Sequence, residues 1–444
     1  MTRAVLMLLL ATAPTAAQQV PQNLSLEQAH EIARLHNPDY LKVQNDGDVA
    51  DAAVRQGYGR FMPSLSTSLS FNGSNSSTLT GEDEFGRPVS ELRRVESERS
   101  STTQQVSLGL TLFDGGATLR QLGAAKAGQR ETDARIALAA NRLRAQVARD
   151  YYGALRAEQL IALEERLLAA RRDDLERTEK LLAVAASKYI DVLSARVDVA
   201  NAEQSLDLAR GNAQKSRLML AQTIGVGGAA PFTLASSAPE IFDPRSLDVD
   251  AMVRQALAES PVVVQARAAL DASEKRTSVA RGARWPTIRG NAGFNRGTSL
   301  SGYNAFSELN PQNRSFGFGL SFSLPLFDGF STSAQIAQAS AAESDAREDV
   351  RAQRMLVERE VRSAFIDLNN FFRAAQLAEQ RAELSRERLT AAQEEFRLGA
   401  LQFFQLQQYV DQAARAERDL LDARFNFING LIALEEKIGA PVER

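Results

Sequence analysis

Apolar and small polar residues alternate along three stretches of the chain. Leu65, Thr67, Leu69 and Phe71 alternate with Ser64, Ser66, Ser68 and Ser70, and Val106, Leu108, Leu110 and Leu112 alternate with Ser107, Gly109 and Thr111. Farther on, Phe316, Phe318, Leu320, Phe322 and Leu324 alternate with Ser315, Gly317, Gly319, Ser321 and Ser323. A period of two is that of a strand with unlike faces. It predicts strands at about 64–72, 104–112 and 315–324, and a weaker one at about 287–295, where Ile288, Ala292 and Phe294 oppose Arg289, Asn291 and Asn295. Apolar residues on one side and Ser and Gly on the other suit a barrel strand with lipid outside and water inside. The alternative is a soluble sheet with one wet face, whose polar side would carry Lys, Glu and Thr instead.

The rest of the chain has a helical period. Val357, Val361, Ala364, Leu368, Phe371, Ala375, Ala378, Ala382, Ser385, Leu389, Ala392 and Phe396 step by four and three in turn, a heptad seam on which only Ser385 is polar. Phe365, Phe372, Leu377 and Leu384 lie off that seam, so the helix should touch neighbours on two sides, as a stave in a cylinder would; a plain two-helix coiled coil is the alternative. No glycine or proline interrupts Phe330–Leu398 or Ala154–Arg210. The first of these runs would form a rod of about 100 Å, a length that survives in water by pairing along a seam. Long helices are expected at about 117–182, 189–223, 331–397 and 402–438.

This pattern is written twice. Leu112-Phe113-Asp114-Gly115 recurs as Leu326-Phe327-Asp328-Gly329, Arg60-Phe61-Met62-Pro63 as Arg284-Trp285-Pro286, and Asn37-Pro38 as Ser260-Pro261. Each half reads as two short helices, Pro, strand, loop, strand, Phe-Asp-Gly, long helix, break, long helix. The repeats are placed at 18–223 and 246–444 with a linker at 224–245. Arg3, the apolar Ala4–Ala13 and the small Thr15, Ala16 and Ala17 read as a secretory signal over 1–17; ten apolar residues are too few for an uncleaved anchor.

Composition narrows the function. There are no cysteines, hence no disulfide, thiolate metal site or acylated cysteine, and 52 basic against 55 acidic residues argue against nucleic acid as partner. The longest uncharged run after the leader, Leu218–Pro239, is broken by Gly225, Gly227, Gly228 and Pro231 and cannot span a bilayer as a helix. The only histidines, His30 and His36, are not stacked one helical turn apart, and Tyr151 and Tyr152 suit packing better than chemistry, so no catalytic, cofactor or metal site is expected. Four strands cannot close a membrane barrel, whose minimum is about eight. Two chains would supply eight and three would supply twelve.

Taken together, the leader, the tandem halves, the Phe-Asp-Gly steps at Phe113 and Phe327 and the prolines at Pro63 and Pro286 resemble the TolC family of outer-membrane efflux proteins. So do the returns Tyr189-Ile190-Asp191-Val192-Leu193-Ser194-Ala195 and Phe396-Arg397-Leu398-Gly399 with Phe404-Gln405-Leu406. The resemblance covers essentially the whole mature chain. It implies a mainly α protein with membrane β: a homotrimer in the outer membrane whose four strands per chain form one twelve-stranded barrel above a periplasmic α-barrel. It also implies contact with outer-membrane lipid, docking of the helical tips on a periplasmic adaptor, and indirect connection to an inner-membrane pump. Asp114, Gly115, Asp328 and Gly329 would be the strand-to-helix turns, the acids as helix N-caps, and Pro63 and Pro286 the helix-to-strand swivels. The tips fall near 183–188 and 397–403, with Lys188, Asp191, Leu401, Gln405 and Gln408 as gate candidates. Well-studied members place an Arg and two Asp where this chain has Leu401, Gln405 and Gln408, so a charged ring is missing from the expected constriction. Polar outer loops are expected at 73–103 and 296–314. The competing readings are a periplasmic coiled-coil scaffold without a pore and a conduit for type I protein secretion.

Overall fold

The computed structural model describes residues 21–82, 85, 87–184, 187–227, 232–235, 238–302 and 313–442. The leader at 1–17, Asp83, Glu84, Gly228, Pro231 and residues 303–312 of the second expected loop lie outside the described residues. The chain divides into two compact units, one of Met1–Asn45, Ala134–Gln265 and Arg351–Arg444, the other of Asp46–Asp133 and Ala266–Val350. The elements in chain order are β1 (Asn23–Leu24), α1 (Leu26–His36), α2 (Pro38–Gly59), β2 (Ser64–Glu82), β3 (Pro88–Phe113), α3 (Ala117–Ala183) and α4 (Tyr189–Thr223) in the first half. The second half holds β4 (Thr233–Leu234), α5 (Val249–Glu259), α6 (Pro261–Gly282), β5 (Thr287–Ser301), β6 (Asn313–Ser323), α7 (Ser331–Arg397) and α8 (Phe403–Ile438).

In the second unit β2, β3, β5 and β6 form one antiparallel sheet in that order. Its register gathers the apolar positions into rows: Leu65, Leu108, Ala292 and Phe318 lie side by side, as do Thr67, Val106, Phe294 and Phe316. The alternate rows are small and polar, Ser66, Ser107, Gly293 and Gly317 among them. The strands exceed their expected bounds, and most of the loop expected at 73–103 is a β-ribbon: β2 and β3 stay paired from Ser64↔Gly109 to Glu82↔Pro88. Likewise β5 runs on to Ser301 and β6 begins at Asn313, inside the loop expected at 296–314. Past Phe71 the β2 sequence is polar or glycine on both faces as far as Thr78, so the period-two signal ends where the apolar face ends, while backbone pairing needs no such face.

In the first unit the seam read from α7 is its buried side: Val357, Val361, Leu368, Ala375, Ala378, Ala382 and Ala392 are buried. Val357, Val361, Leu368 and Phe372 pack on Phe427, Leu431, Leu434 and Ile438 of α8 and on Met252, Val253 and Ala256 of α5. Gly430 of α8 leaves room for the Phe371 ring, which would lie 2.7 Å from a Cβ placed there. The first repeat has a matching core of Val147, Tyr151 and Ala154 of α3, Leu220 and Ala221 of α4, and Ala29 and Ala33 of α1. The segment 224–245, expected as a plain linker, contains β4, which pairs in parallel with β1; the buried Tyr151 hydroxyl donates to the Leu24 carbonyl at 3.0 Å. Two residues are too short to show a strand period, so this small sheet was invisible in the sequence.

Ion pairs give the lateral order of the long helices. Arg210–Glu165 (3.0 Å) and Arg217–Glu158 (2.6 Å) join α4 to α3, while Arg386–Glu417 (2.6 Å) and Arg424–Glu379 (2.9 Å) join α7 to α8. A third series joins α3 to α8: Arg149–Glu436 (2.7 Å), Arg156–Asp422 (2.5 Å), Arg418–Glu164 (2.6 Å) and Arg171–Asp411. The order is therefore α4, α3, α8, α7, with α4 and α7 on the two flanks.

Candidate functional site

Three features are candidates for a functional role: the two-faced sheet, the turns that leave it and the helical tips. On the sheet, Phe316, Phe318, Leu320 and Phe322 are exposed, Phe318 to 84%, so the largest side chains of β6 face away from the protein. Ser64, Thr111, Arg289, Asn291 and Ser321 of the other face stand on the wall of an open cleft of about 1030 Å³, together with Asp114 and with apolar residues such as Met62, Leu110 and Val279. Among the described residues β2 and β6 each leave one edge unpaired.

At the first turn Asp114 lies three residues ahead of α3, not at the N-cap itself. Its carboxylate still caps the helix by accepting from the Thr118 amide (2.7 Å) and hydroxyl. Burial opposes its charge, but the hydrogen bonds from Thr118, Ala117 and Gly116 outweigh this and hold its carboxyl below the usual range. Asp328 does the same for α7 through the Thr332 hydroxyl and amide (2.8 Å), which lower its pKa. Gly115 has φ 62° and meets Trp285, whose Cβ would lie 2.1 Å from an added Cβ, and the Gly115 carbonyl accepts from Arg120 Nη2 at 2.8 Å. Gly329 has φ 64° and open space around it. The residues that follow differ: Gly116 has φ 81°, but its counterpart Phe330, exposed, has φ 67°. Pro63 and Pro286 each stand immediately before a strand, β2 and β5. Thr118, Arg120 and Phe330 were missed in the sequence; the Thr four residues after each Asp was the available sign.

At the tips, Asp191 and Gln405 occupy equivalent positions, the third residue of α4 and of α8. The Asp191 carboxylate accepts from the Lys188 amide (3.1 Å) and the Ser187 hydroxyl (3.2 Å), and the Gln405 side-chain oxygen accepts from the Gln402 amide (3.3 Å). Lys188 and Gln408 are exposed, whereas Leu401 is half-buried against Ala392, Leu406 and Val410. The second tip turns at Gly399, φ 76°, where the Ala400 amide donates to the Glu395 carbonyl at 2.9 Å and closes a Schellman motif. Behind the first tip Arg171 of α3 bridges to Gln407 and Asp411 of α8. Beside it, burial raises the pKa of Asp174 on α3 and of Asp198 on α4. This charged seam was also missed, although Arg149, Arg156, Glu164 and Arg171 recur at helical spacing on one face.

No helix among the described residues is long and apolar enough to cross a membrane, and no group of three or more His, Asp or Glu among them could hold a metal ion. The polypeptide is similar to protein CyaE of Bordetella pertussis, 28% identical over 78% of this chain and 69% of that one. It is 22% identical to outer membrane protein TolC of Vibrio cholerae over 95% of this chain and 92% of that one. Its fold matches the crystal structure of the Campylobacter jejuni CmeC outer membrane channel with a TM-score of 0.74, at 14% identity over 93% of this chain and 85% of that one. The profile of outer membrane efflux proteins matches residues 30–226 and 252–440, one match to each half that the repeated motifs delimit. The chain is thus a member of the outer membrane efflux protein family, a family of channels of the outer membrane.

Proposed function

We propose that three copies of the chain close into one channel, twelve strands in the outer membrane and twelve long helices in the periplasm, with the helical tips engaging a periplasmic adaptor that is served by an inner-membrane pump. The observation that carries this reading is the pair of unfinished borders. The sheet ends in the open edges of β2 and β6, and the helical array ends in α4 and α7, whose outer sides carry Ile190, Val197 and Leu208 and Ile366, Leu377 and Leu384, all exposed. Unpaired strand edges and apolar stripes of this size need a partner. A neighbouring copy supplies the complementary border in each case, and the ring this generates is closed and symmetric. Lipid meets the apolar rows, and water and cargo meet the Ser and Gly rows. At the tips, Asp191, Lys188, Leu401, Gln405 and Gln408 form the constriction; the Asp191 carboxylate retains capacity to accept a bond from a neighbouring helix beyond the two it holds.

Because the chain has no cysteine, an introduced pair is free of background. Val197→Cys combined with Ala391→Cys, both on exposed flank positions near the tips, should give oxidised ladders on denaturing gels that end at three chains, and the uncross-linked protein should conduct ions in a planar bilayer. Ladders ending at two chains, or a protein that stays monomeric and leaves the bilayer silent, would refute the trimeric conduit.

A further inference from the structure

The rows of the sheet's polar face run from Thr111, Arg289 and Ser321 at the helix end to Ser74, Arg99 and Ser301 at the far end. Arg289 and Arg99 are the only charged residues in those rows, and no acid stands among them. The chain as a whole has 52 basic and 55 acidic residues, so this wall does not follow the overall composition. Both arginines are exposed, and among the described residues neither has an ion-pair partner. At the helix end the cleft that holds Arg289 also holds Arg60, with Gln56, Gln121 and Asn291 as neutral donors. The one acid on its wall among the described residues is Asp114, whose carboxylate already accepts from the Thr118 amide and hydroxyl. From Arg289 to Ser301, the partner of Arg99, β5 rises about 40 Å. At about 0.1 M salt the screening length is about 10 Å, so the two arginines act separately, one at each end of the wall.

We propose that Arg289 and Arg99 make the β-lined part of the channel prefer anions, holding carboxylate- or phosphate-bearing solutes at two stations, with Arg60 assisting at the inner one. The proposal rests on the reading of this face as the wall of a water-filled lumen shared by three copies. Each level of the lumen then carries a ring of guanidinium groups, and the rows between the rings carry no carboxylate. Rings of fixed charge set the sign of the ions that dwell in a pore, and a low-dielectric wall concentrates their field. Guanidinium groups stay charged at every physiological pH and present several donors to an oxyanion. The Ser, Asn and Gln of the rows between offer hydrogen bonds without charge, so an anion leaving one station meets no repelling acid before the next. What this adds to the conduit is a ligand class and the residues that select it.

Single-channel recording in a planar bilayer, with tripolyphosphate added on the barrel side, tests this. At about 0.1 M KCl the wild type should be blocked at concentrations at least tenfold below those needed for the Arg99→Gln/Arg289→Gln double variant. Spermidine, the cationic control, should not block from that side at the same concentrations. Under a KCl gradient the zero-current potential of the double variant should move toward the potassium equilibrium potential relative to the wild type. Arg289→Lys, which keeps the charge, should be blocked nearly as the wild type is. Arg314→Gln, on the opposite face of β6, should behave as the wild type does, and an open-channel current in every variant shows that each has folded. Equal block of the wild type and the double variant, an unchanged zero-current potential, or block by spermidine as tight as by tripolyphosphate overturns the anion stations and leaves the conduit standing. A wild type that inserts no channel overturns both the stations and the conduit reading.

Discussion

Gly115 and Gly329 look alike in the sequence and differ in what surrounds them. Each has a positive φ, which costs an ordinary residue about 1–2 kcal/mol. Only Gly115 also abuts Trp285. Gly115→Ala should therefore destabilise the folded oligomer by about 3 kcal/mol or more, adding a steric term to the backbone cost. Gly329→Ala should cost only about 1–2 kcal/mol. Phe330→Gly should relieve the backbone of Phe330 by about 1 kcal/mol. Heat-induced dissociation of the three variants, followed on gels, ranks them. A second contrast is electrostatic. Asp174 is buried beside Arg171, Arg177, Asp173 and Asp198, and burial raises its pKa, so the native state holds its proton to higher pH than the unfolded chain does. Its charge costs stability above that raised pKa, and the cost fades as pH falls toward the ordinary carboxylate value of about 4. Asp174→Asn should accordingly raise the denaturation midpoint at pH 8 and leave it unchanged near pH 3.

Salt bridges at the level of the helices are unequal. The pair Arg418–Glu164 joins α8 to α3, with the Glu164 side chain only 5% exposed, whereas Lys180–Glu176 lies along α3 with both side chains in solvent. Arg418→Ala strands a buried carboxylate and should cost about 3 kcal/mol. Lys180→Ala should cost about 0.5 kcal/mol or less. Denaturant titrations of the two variants decide it, and equal costs would refute the assignment of the α3–α8 seam as the stabilising one. The long helices were legible because heptads extend without a break: α4 and α7 have the bounds read from the sequence, and α3 and α8 differ by a residue. The strands were legible only where Leu and Phe mark every second position. The polar ribbon of β2 and β3 and the two-residue β1 and β4 have no local period, and the helical spacing of Arg149, Arg156, Glu164 and Arg171 does not say which helix they meet.

The two halves and the family were legible in the whole molecule because duplication repeats weak motifs in a fixed order, which one turn or one strand does not. The gate was less so. Asp191 and Gln405 were chosen by resemblance, and both turn out to cap their own helices, a local role that a sequence position cannot separate from a role across helices. Asp191→Ala in a planar-bilayer recording separates them. A gate role predicts larger or more frequent conductance steps and leakage of antibiotics into cells. A purely local role predicts neither, and only a lower melting temperature, by the measure of about 1 kcal/mol for a lost cap.

The order α4, α3, α8, α7 joins each helix to the next by directional, charged bonds and leaves exposed apolar residues on the two flanking helices. Such joints answer differently to force and to ions. Oily surfaces can slip past one another by a fraction of a turn with little change in buried area, whereas Arg–carboxylate rungs let go one at a time. Raising the salt concentration from 0.1 M to 1 M shortens the screening length from about 10 Å to about 3 Å. A brine should thus loosen exposed rungs such as Arg210–Glu165 before the sheltered Arg418–Glu164 rung.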